Sequence, residues 1–585
     1  YLDRPWLSNY DEHVPHSLAP YPDWTIPDLL KMAAAEIPNT PSIIMPSHLP
    51  LIGNVAKITT YQQLYEQANA LSNALLSDEF GLKKGDRVAI LLPNSAAFVI
   101  SWFGILGAGM VAVGINPTYP PERIAEMLRD SGAKAIITLS LFYNSLKQVR
   151  SQTPLEKIIV AYIKDDFHGL AKFLFGLTRE KKDGHAVQVD TGDYVLSDLL
   201  RRYPKTPPAI EIKNTDYAIF QYTGGTTGPS KAAVSTHSAI VANTLQQNAW
   251  LSGTQKSEAG RKMLAAIPFY HVFGMISVIA SSITARATMV IVINARDIDN
   301  LLNIINTYKP HIFHGVPALY NAINVHPSVQ SGKIDLSSIE YCLSGSAPLP
   351  RPTKDQFEAL SGGKLIEGYG MSEAPTATHC NPLNGENRPG SVGLPLPDVL
   401  CRIVDPEEPL RELPVGEVGE IAIHGPQLMS HYHERPTETQ NTIVTDEEGR
   451  RWLLTGDLGR MSEDGYFYIV DRKKDMALIG GFNVYPNQVD QVLNEHPAVA
   501  EVAVGVIPHP EKVGQEALKA WVVVKEGMSV TPEELMEFAS RKLARYEIPS
   551  RYEFIDSLPR TAVGKILRRE LIRRELEQQE QQHSS

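Results

Sequence analysis

Short apolar runs alternate along the first part of the chain with segments whose apolar residues recur at helical spacing. Residues 87–92 predict a buried strand, 95–106 a helix and 110–113 the next strand. A second helix is predicted over 121–132, with proline at its start and glycine at its end, and a further strand over 135–138. This strand–helix–strand alternation indicates a parallel, doubly wound sheet and therefore an α/β fold.

The pattern changes twice more along the chain. A second β/α stretch covers about 217–360, and after residue 388 short strands and glycine turns predict a small β subdomain. The charged run 471–475 is typical of a linker or an exposed turn, and the elements beyond it predict a small α+β unit. We therefore expect a large N-terminal domain (1–470) of β/α layers that carries the small β subdomain, followed by a C-terminal α+β domain (476–585).

Residues 165–184 depart from the β/α rhythm, because apolar residues at helical spacing are flanked there by bases. The residues concerned are Leu170, Phe173, Leu174 and Leu177 beside Lys172, Arg179, Lys181 and Lys182. This is the pattern of a helix that lies on a membrane surface. A helix inserted into the fold and packed on the domain explains it equally well, so both interpretations stay open. The most apolar long window, 275–293, contains Arg286, which argues against a membrane-spanning helix.

Composition and charge exclude several classes of protein. A chain of 585 residues is too long for one ordinary core, so about two to four domains are expected. Lys plus Arg number 55 and Asp plus Glu 66, a formal charge of −11, whereas a nucleic-acid binder needs a basic surface. The three cysteines form no CxxC pair, so we expect neither a disulfide framework nor a cysteine zinc site.

The beginning of the sequence bears on location. It shows no basic-then-apolar leader, and with so few cysteines this predicts a cytoplasmic protein in a reducing compartment. Peripheral contact with the inner face of the membrane through 165–184 and assembly into a homodimer stay open as alternatives to a free monomer. Nucleic acid is not an expected partner.

The strongest local signal is the segment Tyr222-Thr-Gly-Gly-Thr-Thr-Gly-Pro-Ser-Lys231. A predicted strand ends at Tyr222 and a predicted helix starts at Ser238, so we expect a loop between strand and helix. Glycines let backbone N–H groups approach phosphate oxygens, and hydroxyls and a lysine add donors and charge. The pattern does not fit a Walker A loop, and a flexible surface loop is the alternative. The phosphate-binding candidates are Thr223, Gly224, Gly225, Thr226, Thr227, Gly228 and Lys231.

Five further motifs follow this loop in the chain. They are Pro268-Phe-Tyr-His-Val-Phe-Gly274; Glu367-Gly-Tyr-Gly-Met-Ser-Glu373; Leu454-Thr-Gly-Asp457; Val470-Asp-Arg-Lys-Lys-Asp475 with Gly481-Phe-Asn-Val-Tyr-Pro486; and Pro559-Arg-Thr-Ala-Val-Gly-Lys565. In content and order, the loop and these motifs resemble those of the adenylate-forming (AMP-binding) superfamily. The segments 470–476, 481–486 and 564–571 look closest to bacterial long-chain fatty-acid–CoA ligases. One departure is Ala232, because glycine usually follows the loop lysine.

The resemblance implies a ligase that uses ATP, Mg²⁺ and coenzyme A. A long-chain fatty acid and ATP would give an acyl-adenylate and pyrophosphate, and coenzyme A would then displace AMP to form acyl-CoA. Four alternatives share part of this chemistry: a ligase for short or aryl acids, an acyl-AMP ligase that loads a carrier protein, a luciferase-type oxygenase, and a catalytically inactive nucleotide-binding protein. The intact Glu373, Asp457 and Lys565 argue against the last.

The resemblance also assigns residues to ATP. Thr223 and Glu373 would hold Mg²⁺ against the phosphates, and oxygen donors of this kind suit that ion. Tyr369 would stack on adenine, and Asp457, assisted by Arg472, would bind both ribose hydroxyls. Each has a structural alternative when taken alone: a solvated glutamate, a turn tyrosine and a capping aspartate. The whole nucleotide set is Thr223, Gly224, Gly225, Thr226, Thr227, Gly228, Lys231, Gly345, Glu367, Gly368, Tyr369, Ser372, Asp457, Arg472, Lys474 and Lys565.

Other residues are assigned by resemblance to the acid, to coenzyme A and to domain motion. Lys565 would neutralise the carboxylate and the α-phosphate, and His271 would lie near the carboxylate, although a lone histidine in an apolar run is often an ordinary core residue. Lys474 would be the pivot of a hinge at 471–475, about which a mobile C-terminal domain rotates. The catalytic set is Lys565, Glu373, His271 and Lys231. The acyl and coenzyme A channel would be lined by His271, Met275, Gly345, Gly368, Gly481 and Phe482.

Overall fold

The computed structural model describes the chain except for residues 2, 50–52, 224–229, 253–259, 480–481, 510–515, 562–564 and 584–585, and except for the side chains of 483 and 580–583. The chain divides into two compact units. The larger unit comprises Leu7–Val399 and Gly425–Asn441, and the smaller comprises Tyr1–Trp6, Leu400–His424 and Thr442–Ser585. Each unit is defined by the contacts within it, which do not show whether one part of the chain moves relative to another. The hinge at 471–475 therefore stays a prediction.

The described strands are β1 (Pro41–Leu49), β2 (Gly53–Thr60), β3 (Arg87–Leu91), β4 (Val111–Gly114), β5 (Ala135–Leu139), β6 (Lys157–Ala161), β7 (Tyr194–Val195), β8 (Tyr217–Tyr222), β9 (Ala232–Thr236), β10 (Lys262–Ala265), β11 (Thr288–Ile291), β12 (Ile312–Phe313), β13 (Tyr341–Ser344), β14 (Lys364–Met371), β15 (Ala374–Cys380), β16 (Leu394–Pro395), β17 (Leu400–Val404), β18 (Gly419–His424), β19 (His431–Tyr432), β20 (Ile443–Thr445), β21 (Arg451–Met461), β22 (Phe467–Arg472), β23 (Ala477–Ile479), β24 (Phe482–Val484), β25 (Val499–Pro508), β26 (Glu516–Val524) and β27 (Arg551–Phe554).

The described α-helices are α1 (Ile26–Glu36), α2 (Tyr61–Leu75), α3 (Ala96–Gly107), α4 (Pro121–Ser131), α5 (Ser140–Val149), α6 (Gly169–Thr178), α7 (Leu196–Arg202), α8 (His237–Leu251), α9 (Ser281–Thr284), α10 (Ile298–Tyr308), α11 (Pro317–Asn324), α12 (Pro327–Gln330), α13 (Arg351–Ser361), α14 (Pro436–Thr442), α15 (Pro486–Asn494), α16 (Pro532–Ser540) and α17 (Arg568–His583). A π-helix covers Phe273–Ala280, and short 3₁₀ segments cover Pro5–Asn9, Arg150–Gln152, Ile163–Asp166 and Arg545–Glu547.

Two mostly parallel sheets form the larger unit. One has eight strands in the order β19-β9-β8-β4-β3-β5-β6-β7, and only β9 and β19 are antiparallel to their neighbours. The other has nine strands in the order β16-β15-β14-β13-β12-β10-β11-β1-β2, with antiparallel pairing confined to β15 and β16 at one edge and β2 at the other. The predicted α/β fold with parallel sheets is therefore confirmed.

Helices cover both faces of these sheets. Apolar residues of α4 and α5 pack on the eight-stranded sheet, and those of α10, α11 and α13 pack on the nine-stranded sheet. Between the sheets, α8 contacts both β9 and β15. α3 packs in the same layer against α2, and every residue of α3 except Gly107 is buried. A helix that is apolar all round, as α3 is, is stable only when it is enclosed in this way.

The most apolar window of the sequence lies inside this layer. It forms the π-helix, α9 and β11, and Met275 and Ile279 within it are almost completely buried. Among the described residues, no helix is both long enough and apolar enough to cross a membrane. The prediction against a spanning helix at 275–293 therefore agrees with the structure.

Local capping explains where several predicted helices begin and end. The Ser95 side chain accepts a hydrogen bond from the Phe98 N–H at 3.2 Å and so starts α3. Gly132 ends α4 in the left-handed region with φ 61°, a conformation that favours glycine. One connection was predicted wrongly. The loop after Tyr222 does not lead directly into a helix, because β9 intervenes and the loop joins two antiparallel strands.

The smaller unit contains three β structures. A five-stranded antiparallel sheet has the order β17-β18-β21-β20, with β22 also paired to β21. β23 and β24 form a hairpin, and β25, β26 and β27 form a third sheet. Apolar residues of α15 and α16 pack on one side of this last sheet and those of α17 on the other. The predicted α+β character of the C-terminal part is therefore confirmed.

The charged run 471–475 is only partly the exposed turn that the sequence predicted. Residues 473–475 form a turn, but Asp471 lies in β22 and is completely buried. Its carboxylate accepts hydrogen bonds from the backbone N–H of Asn487 at 2.8 Å and from the Asn487 side chain at 2.7 Å, at the N-terminus of α15. Burial raises the pKa of Asp471, whereas the Asn487 hydrogen bond and the Arg568 charge oppose the increase.

Candidate active site

The motif residues of the larger unit lie where strands of the two sheets end. β4 ends at Gly114, β8 at Tyr222 and β13 at Ser344, and β14 carries the segment that begins with Glu367. These strands belong to the parallel parts of the sheets, whose carboxyl ends form the edge at which ligands bind in open α/β proteins. The chemistry-bearing motifs are therefore brought to sheet edges by strand direction.

The phosphate-loop candidates are placed only at the two ends of the loop. The Thr223 N–H donates to the Lys231 carbonyl at 2.8 Å, which closes the base of the loop, and no described residue hydrogen-bonds the Thr223 hydroxyl. Nζ of Lys231 lies 5.5 Å from the ring centroid of Tyr432, within the range of a cation–π interaction. The predicted residues Gly224, Gly225, Thr226, Thr227 and Gly228 lie outside the described residues.

Glu373 occupies, with Ser372, the tight turn between β14 and β15. The phenolic hydroxyl of Tyr432 donates to Oε1 of Glu373 at 2.7 Å, and the Met429 N–H donates to the Glu373 carbonyl at 2.8 Å. Tyr432 belongs to β19, which pairs with β9 just beyond Lys231. One tyrosine therefore contacts both the predicted metal carboxylate and the loop lysine.

The oxygen donors here fit a magnesium ion. Within the described part of the chain, no group of three or more His, Cys, Asp or Glu side chains could hold a metal alone. Glu373 has one oxygen bonded to Tyr432, and no described residue hydrogen-bonds its Oε2. Magnesium is usually bound by one or two carboxylates, completed by water and substrate phosphates. The Glu373 carboxylate and the Thr223 hydroxyl therefore suit Mg²⁺ bound together with ATP.

Three predicted nucleotide residues follow one another in β14. Glu367 is buried, and its Oε1 accepts a hydrogen bond from the Leu349 N–H at 3.2 Å. Burial raises the pKa of Glu367 to about 8, so this carboxyl is mostly protonated at pH 7. A Cβ on Gly368 would lie 2.7 Å from Cδ1 of Leu343, so any larger residue there would require the Leu343 side chain to move. The half-buried Tyr369 ring lies 5.7 Å from the ring of His379.

His271 lies just before the π-helix, and Met275 lies in its first turn. His271 is half-buried, and its Nδ1 accepts a hydrogen bond from the Phe273 N–H at 3.3 Å. Met275 is 1% exposed, and Cε of Met275 would lie 3.2 Å from a Cβ on Gly114, the last residue of β4. The methionine therefore packs over the end of that strand, beside the Tyr270 carbonyl.

Gly345 follows the end of β13 and faces the same π-helix. A Cβ on Gly345 would lie 3.4 Å from the Phe273 ring and 3.7 Å from the Gly368 carbonyl, which are ordinary contacts. The Phe273 ring stacks on His314, with ring centroids 6.2 Å apart. Burial lowers the pKa of His314 to about 3, so this imidazole is neutral. The ring against Gly345 and the ring stacked on it are therefore both uncharged.

In the smaller unit, Asp457 and Arg472 are paired directly. They are register neighbours on β21 and β22, and Nε of Arg472 lies 2.6 Å from Oδ1 of Asp457. The Asp457 side chain is 2% exposed, whereas that of Arg472 is 37% exposed. The arginine thus fixes the position of a buried carboxylate, a group that accepts hydrogen bonds from hydroxyl groups.

Lys565 lies among charged groups of the same unit. Desolvation and the repulsion of Arg472 and Lys474 lower the pKa of Lys565 to about 8, whereas the attraction of Asp457 and Asp475 opposes this decrease. Desolvation also lowers the pKa of Lys474, which lies in the turn after β22. Together with Lys565, the two cations outnumber these two carboxylates, which favours the approach of an anion.

Of the two coenzyme A candidates, only Phe482 lies among the described residues. Phe482 in β24 is 54% exposed and stacks on Tyr546, with ring centroids 4.5 Å apart and an angle of 8° between the planes. Gly481 lies outside the described residues.

Three side chains next to the predicted residues were not found from the sequence: Tyr432, Phe273 and His314. Phe273 lies inside a recognised motif and could have been noticed as a neighbour of His271. Tyr432 and His314 carry no local signal, because strand pairing and ring stacking bring them to the site from distant parts of the chain.

Comparison with known proteins identifies related chains over almost the whole length. The family model described as AMP-binding enzyme matches residues 31–433, and that described as AMP-binding enzyme C-terminal domain matches residues 488–565. A long-chain-fatty-acid–CoA ligase of Bacillus subtilis (strain 168) is 38% identical over 577 residues, 98% of either chain. A long-chain-fatty-acid–CoA ligase of Escherichia coli O6:H1 is 34% identical, over 97% of this chain and 98% of the relative.

Solved structures show the same architecture. The crystal structure of an anthranilate CoA ligase in complex with anthranoyl-AMP matches with a TM-score of 0.79 and 27% identity, over 94% of this chain and 97% of the other. The ligand in that structure is an acyl-adenylate, so the matching fold holds an activated acid of this type.

Proposed function

The chain belongs to the AMP-binding enzyme family, and on that premise we propose that it joins long-chain fatty acids to coenzyme A in an ATP-dependent, AMP-forming reaction. The observation that carries the proposal is similarity, across nearly the full length of both chains, to ligases named for this reaction. The arrangement of Glu373 with Tyr432, and of Asp457 with Arg472, supports it because each carboxylate is fixed by a neighbour.

In the first half-reaction, a carboxylate oxygen of the fatty acid attacks the α-phosphorus of ATP, the α–β phosphoanhydride bond breaks and pyrophosphate leaves. Both reactants are anions, so the main task of the protein is to gather positive charge and donors in fixed positions. We assign Lys231 to the phosphates and Lys565 to the carboxylate and the α-phosphate. His271 lies near the carboxylate in this scheme, and we assign Met275 and Gly345 to the lining of the alkyl-chain channel.

A second group of residues positions the nucleotide and takes no part in making or breaking bonds. Asp457 accepts hydrogen bonds from the ribose hydroxyls, Arg472 holds it in place, and Tyr369 stacks on adenine. Glu373 and Thr223 would hold Mg²⁺, which when bound neutralises charge on the phosphates and fixes their positions. The remaining loop residues Gly224–Gly228, with Gly345, Glu367, Gly368 and Ser372, complete the proposed nucleotide set.

In the second half-reaction, the coenzyme A sulfur attacks the acyl carbonyl carbon, the bond from that carbon to the phosphate oxygen breaks, AMP leaves and the thiol proton passes to solvent. We propose that the part beyond 475 rotates about Lys474 between the two steps, which separates a domain 1–470 from a domain 476–585. The turn at 473–475 supports this pivot, and the exposed Phe482 supports a place for the β23–β24 hairpin beside the pantetheine arm.

The test is pyrophosphate release measured across acids of increasing chain length, with and without coenzyme A. Palmitate and oleate should give higher kcat/KM than acetate, octanoate or coumarate, and acyl-CoA should accumulate only when the thiol is present. A preference for acetate or coumarate would indicate the short or aryl acid alternative. Release of acyl-AMP without thioester formation would indicate an acyl-AMP ligase that loads a carrier protein. Emission of light or consumption of oxygen would indicate a luciferase-type oxygenase.

Two hypotheses about partners remain proposals. Residues 165–184 would make peripheral contact with the inner face of the membrane, and two copies of the chain would form a homodimer. Vesicle binding tests the first, and sedimentation equilibrium of the purified protein tests the second.

A further inference from the structure

A buried asparagine ties helix α8 to the strand that follows Glu373. Asn243 lies near the middle of α8 and is completely buried. Its Oδ1 accepts hydrogen bonds from the backbone N–H groups of Thr376 at 2.7 Å and Ala377 at 3.2 Å. Its Nδ2 donates to the Ala377 carbonyl at 2.6 Å. One side chain therefore satisfies three backbone groups of β15.

The same amide is held in place by its own helix. Gln246 and Gln247 are buried and lie three and four residues further on, so they share a face of α8 with Asn243. Nε2 of Gln247 donates to Oδ1 of Asn243 at 2.7 Å, and Nδ2 of Asn243 donates to Oε1 of Gln246 at 3.1 Å. With its oxygen and its nitrogen both engaged on two sides, the Asn243 amide has one orientation in the core.

The bonds to β15 fall where its pairing with β14 is irregular. The register shifts between Tyr369 and Gly370 and again between Gly370 and Met371. Shifts of this kind leave groups of the ladder without a strand partner. A Cβ on Gly370 would lie 1.5 Å from the Thr376 carbonyl oxygen, so the two strands approach more closely here than any residue other than glycine allows. Asn243 thus binds the β14–β15 hairpin where its own ladder is interrupted.

This attachment lies close to Glu373 along the chain. Two residues, the second of them a proline with a fixed φ, separate Glu373 from Thr376. A displacement of Thr376 would therefore move Glu373 with it. On the other side, α8 follows β9 directly, and β9 begins at the residue after Lys231. Asn243 thus joins the hairpin that carries Glu373 to the segment that leads out of the phosphate loop.

We propose that Asn243 is a positioning residue for Mg²⁺ and ATP, which holds the backbone of the β14–β15 hairpin where Glu373 can share the metal ion with the phosphates. The inference rests on the proposed function, because it takes Glu373 as the metal ligand. Asn243 touches neither the metal nor the nucleotide in this scheme. Tyr432 fixes the Glu373 carboxylate, whereas Asn243 fixes the backbone that carries it.

The experiment is calorimetric titration of ATP at several Mg²⁺ concentrations, without fatty acid or coenzyme A. Asn243→Leu keeps the approximate size of the side chain and removes its hydrogen bonds. The Mg²⁺ concentration for half-maximal ATP binding should rise at least about tenfold, since three backbone groups lose their partner. Asn243→Ser leaves room for a water molecule that can bond the freed groups, so it perturbs folding less. It should raise the same Mg²⁺ concentration about threefold or more, because a water does not tie β15 to α8.

Asn324→Leu is the matched control. Asn324 is also a completely buried asparagine, and its Nδ2 donates to a backbone carbonyl, that of Thr353, at 2.9 Å. It links α11 to α13, and both residues lie outside the motifs. Asn324→Leu should lower the Tm but leave the Mg²⁺ dependence of ATP binding unchanged. All titrations are made well below the Tm of each variant, so that unfolding does not contribute to them.

Two results would overturn the inference and leave the proposed function intact, provided that Glu373→Gln abolishes Mg²⁺-dependent ATP binding. The Mg²⁺ titrations of Asn243→Leu and Asn243→Ser could superimpose on that of the native protein. Asn324→Leu could raise the Mg²⁺ requirement as much as Asn243→Leu does, which would mean that lost stability alone explains the effect. An unaltered Mg²⁺ dependence in Glu373→Gln would instead reject the proposed metal site, and the inference with it.

Discussion

Tyr432 donates its phenolic hydrogen to Oε1 of Glu373 at 2.7 Å, although 59 residues separate them in the chain. The same ring lies under the ammonium group of Lys231. The orientation of the proposed metal carboxylate is therefore set by a residue that also contacts the phosphate loop.

Replacing Tyr432 with phenylalanine keeps the ring near Lys231 and removes the hydrogen bond to Glu373. Hydrogen bonds to charged groups contribute about 1.5–3 kcal/mol, and partial exposure of Glu373 reduces the effect. We expect the Mg²⁺ concentration for half-maximal ATP binding to rise about three- to tenfold, with the KM for the fatty acid nearly unchanged. Calorimetric titration of ATP at several Mg²⁺ concentrations measures this shift.

Tyr222→Phe is the matched control, because the Tyr222 hydroxyl bonds to Asp130 at 2.8 Å and not to Glu373. It should leave the Mg²⁺ dependence unchanged. Glu373→Gln should abolish Mg²⁺-dependent ATP binding, since an amide replaces the anionic ligand. A Mg²⁺ titration of Tyr432→Phe that superimposes on that of the native protein would show that the hydrogen bond does not position the metal.

The pairing of Asp457 with Arg472 predicts how the enzyme recognises ribose. The native protein should bind ATP more tightly than 2′-deoxy-ATP or 3′-deoxy-ATP, because each analogue lacks one donor to Asp457. Asp457→Ala should weaken ATP binding and reduce this discrimination to about twofold or less, since the lost donors no longer have an acceptor. Equilibrium binding of the three nucleotides is the measurement.

Asp446→Asn is the control for this test, since Asp446 lies just beyond β20 of the same sheet but pairs with Arg450 at 2.8 Å. Its discrimination between the nucleotides should match that of the native protein. Full discrimination retained by Asp457→Ala would remove this carboxylate from the ribose site.

The lowered pKa of Lys565, about 8, predicts the alkaline side of the pH profile. Lys565 is charged below that pH and neutral above it, so kcat/KM for ATP in adenylation should fall as the pH rises through about 8. Lys565→Arg should move this fall to higher pH, because a guanidinium stays protonated. Lys565→Ala should slow adenylation about 10²–10³-fold and leave thiolation of supplied acyl-AMP nearly intact.

Single-turnover kinetics of each half-reaction, measured from pH 6 to pH 10, separates these effects. An alkaline limb that is identical in the native protein and in Lys565→Arg would mean that another group titrates. Equal slowing of both half-reactions in Lys565→Ala would mean that the lysine is structural.

The buried carboxyl of Glu367 predicts a pH-dependent change in stability. Burial raises its pKa from 4.5 to about 8, so folding is favoured by this group at low pH and the contribution is lost as the pH rises from about 4.5 to about 8. Glu367→Gln removes this dependence while keeping the shape of the side chain. The Tm of Glu367→Gln, measured relative to the Tm of the native protein, should therefore rise from pH 5 to pH 8. A Tm difference that does not change with pH would contradict the prediction.

The fold class was predictable because the apolar runs and their end signals are local. Ser95 and Gly132 mark helix ends by chemistry within a few residues, and α3 and α4 lie where those signals place them. β9 was missed because it is only five residues long and leads straight into α8. Its pairing with β8 is a tertiary contact that no local pattern expresses.

In the candidate site, too, residues within local motifs were predictable, whereas residues brought there by tertiary contacts were not. Motif order indicated Glu373, Asp457 and Lys565, but neither Tyr432 nor the burial of Asp471 could be read from the sequence. Tyr432 reaches Glu373 only because β19 joins the edge of the sheet at β9. Asp471 sits in a run of charged residues that looks solvated, yet it faces the start of α15.

The hydrogen bonds between Asp471 and Asn487 bear on the proposed rotation about Lys474, because the pivot lies between the two residues in the chain. A rotation of the C-terminal part would separate them and leave a buried carboxylate without those donors. The resting enzyme should therefore favour one conformer by an amount on the order of one charged hydrogen bond, about 1.5–3 kcal/mol, or a population ratio of roughly ten to a hundred. The second conformer would then become abundant only when acyl-AMP and coenzyme A bind it more tightly than the first by at least that amount.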